Sequence, residues 1–156
     1  MALDKISDPR EIKHWPGHME TDYVYTHGVA GERFFREIKE KGRIMGTKCK
    51  RCGVVYVPAR MYCERCFEKL EDWVDVGKRG IVHAFTVAYI DMDGCRLREP
   101  VVYAVIKMDG AEGGLVHKLE VDPNEVEIGM AVEAVFKPKA QREGSMNDIT
   151  YFKPTK

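Results

Sequence analysis

Polar and apolar positions change their period twice along this chain. Between Gly31 and Lys41, Phe34, Phe35 and Ile38 share one helical stripe, and Glu32 with Arg36 and Glu37 with Lys41 fall four residues apart with opposite charge. This predicts a helix of about three turns, stopped by Gly42 and too short to persist unless its phenylalanines are buried. From Ile44 to Leu70 the pattern breaks into short apolar pieces such as Val54 to Val57, punctuated by cysteine pairs. From residue 72 onward the runs are β-branched and apolar: Ile81 to Ile90, Val101 to Met108, Leu115 to Leu119 and Val132 to Phe136.

The separators of these runs form turns: Asp93-Gly94, Asp109-Gly110, Gly113-Gly114 and Asp122-Pro123-Asn124. Five or six strands over about 80 residues predict a small closed barrel. Val101 to Ile106 is apolar on both faces, so one face fills the barrel and the other meets the helix or a partner. Residues 1 to 28 hold Pro9, Pro16, Gly17, Gly28, Trp15, Tyr23 and Tyr25 without a sustained period and read as an arm. The organisation expected is an arm and helix over 1–43, a cysteine-rich ribbon over 44–71 and a barrel with a C-terminal tail over 72–156.

The cysteines carry the chemistry. Cys49 and Cys52, then Cys63 and Cys66, form two pairs of the same spacing, and two residues between cysteines let both sulfurs face one ion across a tight turn. Gly53 follows the first pair and permits an unusual backbone there. The expectation is one structural zinc ion held by Cys49, Cys52, Cys63 and Cys66, with iron as the chemical alternative. Four thiolates leave no coordination position for substrate, which argues against a hydrolytic zinc enzyme. The N-terminal sequence lacks a secretory apolar stretch and no run reaches membrane-spanning length, so free thiols in the cytoplasm are expected rather than disulfides.

Charge changes the picture locally. The whole chain balances 25 basic against 25 acidic residues, which gives no overall field for nucleic acid or an anionic membrane. Residues 41 to 66 instead hold Lys41, Arg43, Lys48, Lys50, Arg51, Arg60 and Arg65 against Glu64 alone. Residues 67 to 156 carry 12 basic and 16 acidic side chains, a poor match to a single-stranded nucleic-acid binder. No serine, cysteine or histidine lies in a nucleophile or base motif. Cys95, the unpaired thiol, sits in Asp93-Gly94-Cys95-Arg96 and reads as a loop thiol; His83 and His117 read as structural imidazoles in strands, while His14, His18 and His27 lie in the arm.

The order of helix, Gly46 to Gly53, Pro58 with Arg60, Cys63 to Cys66, Phe85-Thr86-Val87 and Asp122-Pro123 resembles a zinc-ribbon and OB-fold family first catalogued as a domain of unknown function, over roughly residues 29 to 138. The resemblance implies a mainly β fold with an N-terminal helix, in which a rubredoxin-like zinc ribbon precedes a small OB-fold barrel. It also implies a non-catalytic subunit bound to a thiolase-fold acyl-CoA enzyme, in a heterotetramer, supporting the partner's acyl-CoA binding or substrate tunnel. A subunit of an acyl-CoA aldolase or lyase, and a single-stranded nucleic-acid-binding protein, are the alternatives. If a coenzyme A thioester is shared with the partner, Lys50, Arg51 and Arg60 are the candidate contacts for its phosphates.

Overall fold

The computed structural model describes residues 8, 10 and 25 to 155. The expectations for His14, Trp15, His18 and Tyr23 lie outside these residues.

Helix α1 runs from Gly28–Lys41, three residues earlier than the periodicity indicated. Gly42 ends it, its N–H donating to the Ile38 carbonyl at 3.0 Å. Phe34 and Ile38 are buried, and both expected ion pairs form: Arg36 with Glu32 at 3.5 Å and Lys41 with Glu37 at 3.1 Å. Glu37 is itself buried, and Arg43 Nε also donates to it, at 2.6 Å; that hydrogen bond holds its carboxyl below the usual range against the effect of burial.

The ribbon is built on β1 (Met45–Lys48), β2 (Val55–Val57) and β3 (Asp72–Asp75), with β1 antiparallel to both others. Beyond β3 the chain forms β4 (Arg79–Ile90), β5 (Arg96–Met108), β6 (Glu112–Gly113), β7 (Leu115–Leu119), β8 (Ala131–Phe136) and β9 (Ile149–Pro154). Strands β4, β5, β7, β9 and β8 close a five-stranded barrel in that order. Strand β9 lies in the segment read as a tail; it sits between β7 and β8 and buries Ile149 and Phe152 completely. Its four-residue apolar piece follows a long polar stretch, which is why the sequence pattern did not single it out.

The two halves are joined by more than the chain. Strand β6, two residues in the β5–β7 connection, pairs in parallel with β2 of the ribbon, so the ribbon sheet has the order β3-β1-β2-β6. A side chain at Gly113 would collide with the Val57 carbonyl, and its φ of +89° also requires glycine. One core runs through the junction, from Phe34 and Ile38 of α1 through Ile44 and Val57 of the ribbon base to Val82, Ile106, Leu119 and Phe152 of the barrel.

The 143–148 turn between β8 and β9 is organised by Asp148, which is fully buried. Burial opposes its charge, but the N–H groups of Glu143 at 2.8 Å, Gly144 at 2.7 Å and Ser145 at 3.3 Å outweigh it and hold the carboxyl below the usual range.

Candidate metal centre

Each cysteine pair lies on a tight turn whose hydrogen bonds repeat. Cys49 N–H donates to the Val54 carbonyl at 2.8 Å and Gly53 N–H to the Cys49 carbonyl at 2.8 Å; Cys63 N–H donates to Glu68 at 2.9 Å and Phe67 N–H to Cys63 at 3.0 Å. Both turns need a left-handed residue after the second cysteine. Gly53 fills it in the first with φ +72°, and Phe67 fills it in the second with φ +58°. The first cysteine of each pair is buried and the second half-buried.

The turns bring all four Sγ atoms within 4.8 Å of one another. Cys49 and Cys66 sulfurs stand 3.6 Å apart and those of Cys52 and Cys63 3.9 Å. Zinc bonded to sulfur at about 2.3 Å gives a tetrahedron with edges of about 3.8 Å. The donor set therefore fits a tetrahedral zinc ion, two of its sulfur pairs already standing close to that edge length.

The surroundings favour thiolate unevenly. Tyr56, buried on β2, places its hydroxyl 3.3 Å from Cys63 Sγ, and that hydrogen bond brings the Cys63 thiol down to about 6 despite burial. The same contact pushes the Tyr56 phenol up to about 12. Cys52, sharing a hydrogen with Cys66 and partly desolvated, is pushed up to about 12. Four thiols at this separation do not ionise together unless a cation joins them. Thr47 braces the site: its hydroxyl accepts from Arg60 N–H at 2.9 Å and donates to the Arg60 carbonyl at 3.0 Å, tying β1 to the chain that leads into the second turn.

The basic cluster of the ribbon is largely answered by carboxylates outside it. Lys41 and Arg43 bond Glu37, Lys50 lies 3.3 Å from Asp72, Arg60 pairs with Glu64, and Arg65 pairs with Glu112 of β6. Lys50 and Arg60 thus face separate carboxylates, while Arg51 is exposed and in no ion pair among the described residues. Sequence reasoning did not find Tyr56, Thr47 or the Arg65–Glu112 contact. Glu112 is 47 residues from Arg65, and no local spacing announces such a pair.

The remaining candidates are scattered. Cys95 is exposed in the β4–β5 turn, where its N–H donates to the Asp91 carboxylate at 2.8 Å. His117 Nε2 lies 3.1 Å from the Met146 carbonyl and its ring stands 5.8 Å from that of Phe152, while its buried Nδ1 has no hydrogen-bond partner among the described residues. His83 is exposed at an irregularity of β4, and His27 lies at the start of α1 with its ring 5.2 Å from Phe35. None of the helices among the described residues is long and apolar enough to cross a membrane.

Two family models match the chain in order: the ChsH2 rubredoxin-like zinc ribbon domain over residues 36–71 and the ChsH2 C-terminal OB-fold domain over residues 73–137. A DUF35 domain-containing scaffold protein of Methanocaldococcus jannaschii is 36% identical over 128 residues, covering 78% of this chain and 89% of the relative. One from Methanothermobacter thermautotrophicus is 33% identical, covering 78% of this chain and 94% of the relative. Among solved structures, a DUF35 protein of unknown function from Sulfolobus solfataricus matches with a TM-score of 0.61 and 38% identity over 69% of this chain and 78% of that one. A chain of the Ltp2-ChsH2(DUF35) aldolase matches with a TM-score of 0.57 and 25% identity over 78% of this chain and 91% of that one. With its ribbon, its barrel and both domain models in the same order, the chain belongs to the DUF35 zinc-ribbon/OB-fold family.

Proposed function

We propose that this protein is a non-catalytic, scaffold-type subunit that docks on an acyl-CoA enzyme of the thiolase or aldolase class. Its own metal, a zinc ion held by Cys49, Cys52, Cys63 and Cys66, is structural. The observation that carries this reading is the likeness, over 78% of the chain, to a chain of an aldolase that pairs Ltp2 with a DUF35 protein. The relatives described as scaffold proteins support it. The four-sulfur cluster supports the structural role of the metal, because a complete tetrahedron leaves no position for a reacting water.

In this reading the chain forms a wall of the partner's substrate tunnel or steadies its acyl-CoA site, and one copy on each protomer of a dimeric enzyme makes a heterotetramer. Arg51, with Lys50 and Arg60 once released from Asp72 and Glu64, supplies positive charge for the phosphates of a shared coenzyme A thioester.

The test is a mild affinity purification from the native host, with metal analysis and mass spectrometry of the eluate. One zinc per chain and a stoichiometric thiolase or aldolase acting on coenzyme A thioesters are expected. Zinc without such an enzyme, or with RNA in its place, would overturn the proposal.

A further inference from the structure

The outward face of the barrel is apolar where a free barrel is ordinarily polar. The pairing registers place Ala84, Val105 and Val116 side by side across β4, β5 and β7, and in the next row Thr86, Tyr103 and Lys118. Val116 is 69% exposed and Tyr103 45%. Between them lies a groove of about 230 Å³ whose lining is almost wholly apolar. Helix α1 packs against β1 and two turns of the β8–β9 connection, and leaves this face uncovered among the described residues.

The strip continues onto the β4–β5 hairpin. Most of β4 from His83 to Ile90 is exposed or half-exposed, on both faces of the sheet, yet the pairing holds out to Ile90 with Arg96. The tip is ordered by Asp91, whose carboxylate accepts from the N–H groups of Asp93 at 3.0 Å and Cys95 at 2.8 Å. On this fixed turn Met92 is fully exposed, with Tyr89 and Ile90 more than half exposed beside it. A two-stranded arm displaying an apolar tip in water gains little by itself, whereas a rigid apolar projection loses little entropy on entering a partner's pocket.

Charge selects the occupant. Lys107, opposite Ile81, and Lys118, opposite Tyr103, flank the strip and hold no ion pair among the described residues; Glu120 lies toward the hairpin root. A second copy laid face to face offers these lysines no carboxylate from the paired rows, which hold only aliphatic, threonine, tyrosine and lysine side chains. A nucleic acid would find Tyr103 among aliphatic groups rather than a series of stacking platforms.

Resting on the subunit reading above, we propose that the outer face of β4, β5 and β7, continued by the β4–β5 hairpin tip, is where the acyl-CoA enzyme docks. The enzyme presents an apolar patch, with carboxylates opposite Lys107 and Lys118 and a pocket for Met92.

The test uses the co-purified enzyme and the full chain. Val116→Asp and Met92→Asp change exposed positions, and zinc content and circular dichroism confirm that the variants fold. Each is expected to weaken enzyme binding by about thirtyfold or more, the range of a central interface residue. Lys118→Glu is expected to slow association and flatten its salt dependence. The control Glu40→Lys, exposed on α1, leaves affinity within about threefold by the same reasoning. A photo-crosslinking residue at position 116 should label the enzyme. Folded aspartate variants that bind the enzyme unchanged, or a crosslink to a second copy or to an oligonucleotide, would overturn the docking face while leaving the subunit reading intact. If no enzyme co-purifies with the wild-type chain, both fall.

Discussion

The ribbon and the barrel are small β structures in one chain, but they are held in different ways. The barrel closes around Val82, Ile106, Leu119 and Phe152, and each of its strands is specified by which side chains turn inward. The separate cluster of the ribbon has little beyond Cys49, Tyr56, Cys63 and Leu70, so its backbone follows the demand that four sulfurs meet. Phe67 shows the difference. A non-glycine residue in the left-handed region is held there against its own preference by the sulfur turn, and its side chain is 80% exposed. In the barrel, by contrast, the outlying polar group Asp148 is enclosed and fully hydrogen-bonded.

The sharpest division between the halves is metal removal. Chelation, or Cys63→Ser, should unfold the 44–71 ribbon, because structural zinc contributes about 10 to 16 kcal/mol in isolated zinc-finger peptides. The barrel should retain its hydrogen-exchange protection at Val82 and Ile106. A ribbon unchanged in its amide spectrum after chelation would show that packing alone holds it.

The comparison breaks down at the shared strand β6, and Gly113→Ala should expose this. A methyl group there meets the Val57 carbonyl at a φ closed to alanine, so a loss of about 2 kcal/mol or more is expected by chemical denaturation, with faster zinc loss to a chelator in parallel. A barrel-only effect would mean the two halves are not coupled.

Asp148→Asn should cost about 2 kcal/mol, the scale of charge-assisted hydrogen bonds lost in a buried site, with zinc content unchanged. The folded carboxyl sits below its ordinary value of 3.8, so its contribution is present above that value and is lost as the pH falls through the lower, folded one. A melting series from pH 6 downward should therefore be steeper for the wild type than for the variant. Equal slopes would remove Asp148 from the account.

The smallest effect belongs to Phe67→Gly. Relief of the left-handed backbone should stabilise the ribbon by about 1 kcal/mol, read as slower zinc loss to a chelator. Destabilisation would mean that the exposed ring makes contacts which outweigh the strain.

Much of this was legible in the sequence because the signals were local. The i,i+4 charges and Gly42 marked α1, the paired cysteines marked the metal turns, and Asp93-Gly94 marked the hairpin. Contacts that join distant segments left no such mark. Strand β3 begins just past the expected ribbon boundary yet pairs with β1, and β6 is two residues of a turn that become a strand only against β2. The positive charge of residues 41 to 66 looked available for a ligand, but Glu37, Asp72 and Glu112, from outside that window, answer four of its members. The second apolar face of Val101 to Ile106 was expected to meet the helix or a partner; α1 packs elsewhere, and among the described residues nothing covers it.

The position of β9 bears on how the protein is made. A ribosome releases the ribbon's cysteines and strands β1 to β3 well before residues 149 to 154, and the barrel has an open seam between β7 and β8 until those residues arrive. Metal can thus be captured by a nascent chain whose barrel strands still lack their last neighbour. During that interval Val132 and Leu119 stand without Phe152, and it is then that an apolar chain most needs a chaperone close by.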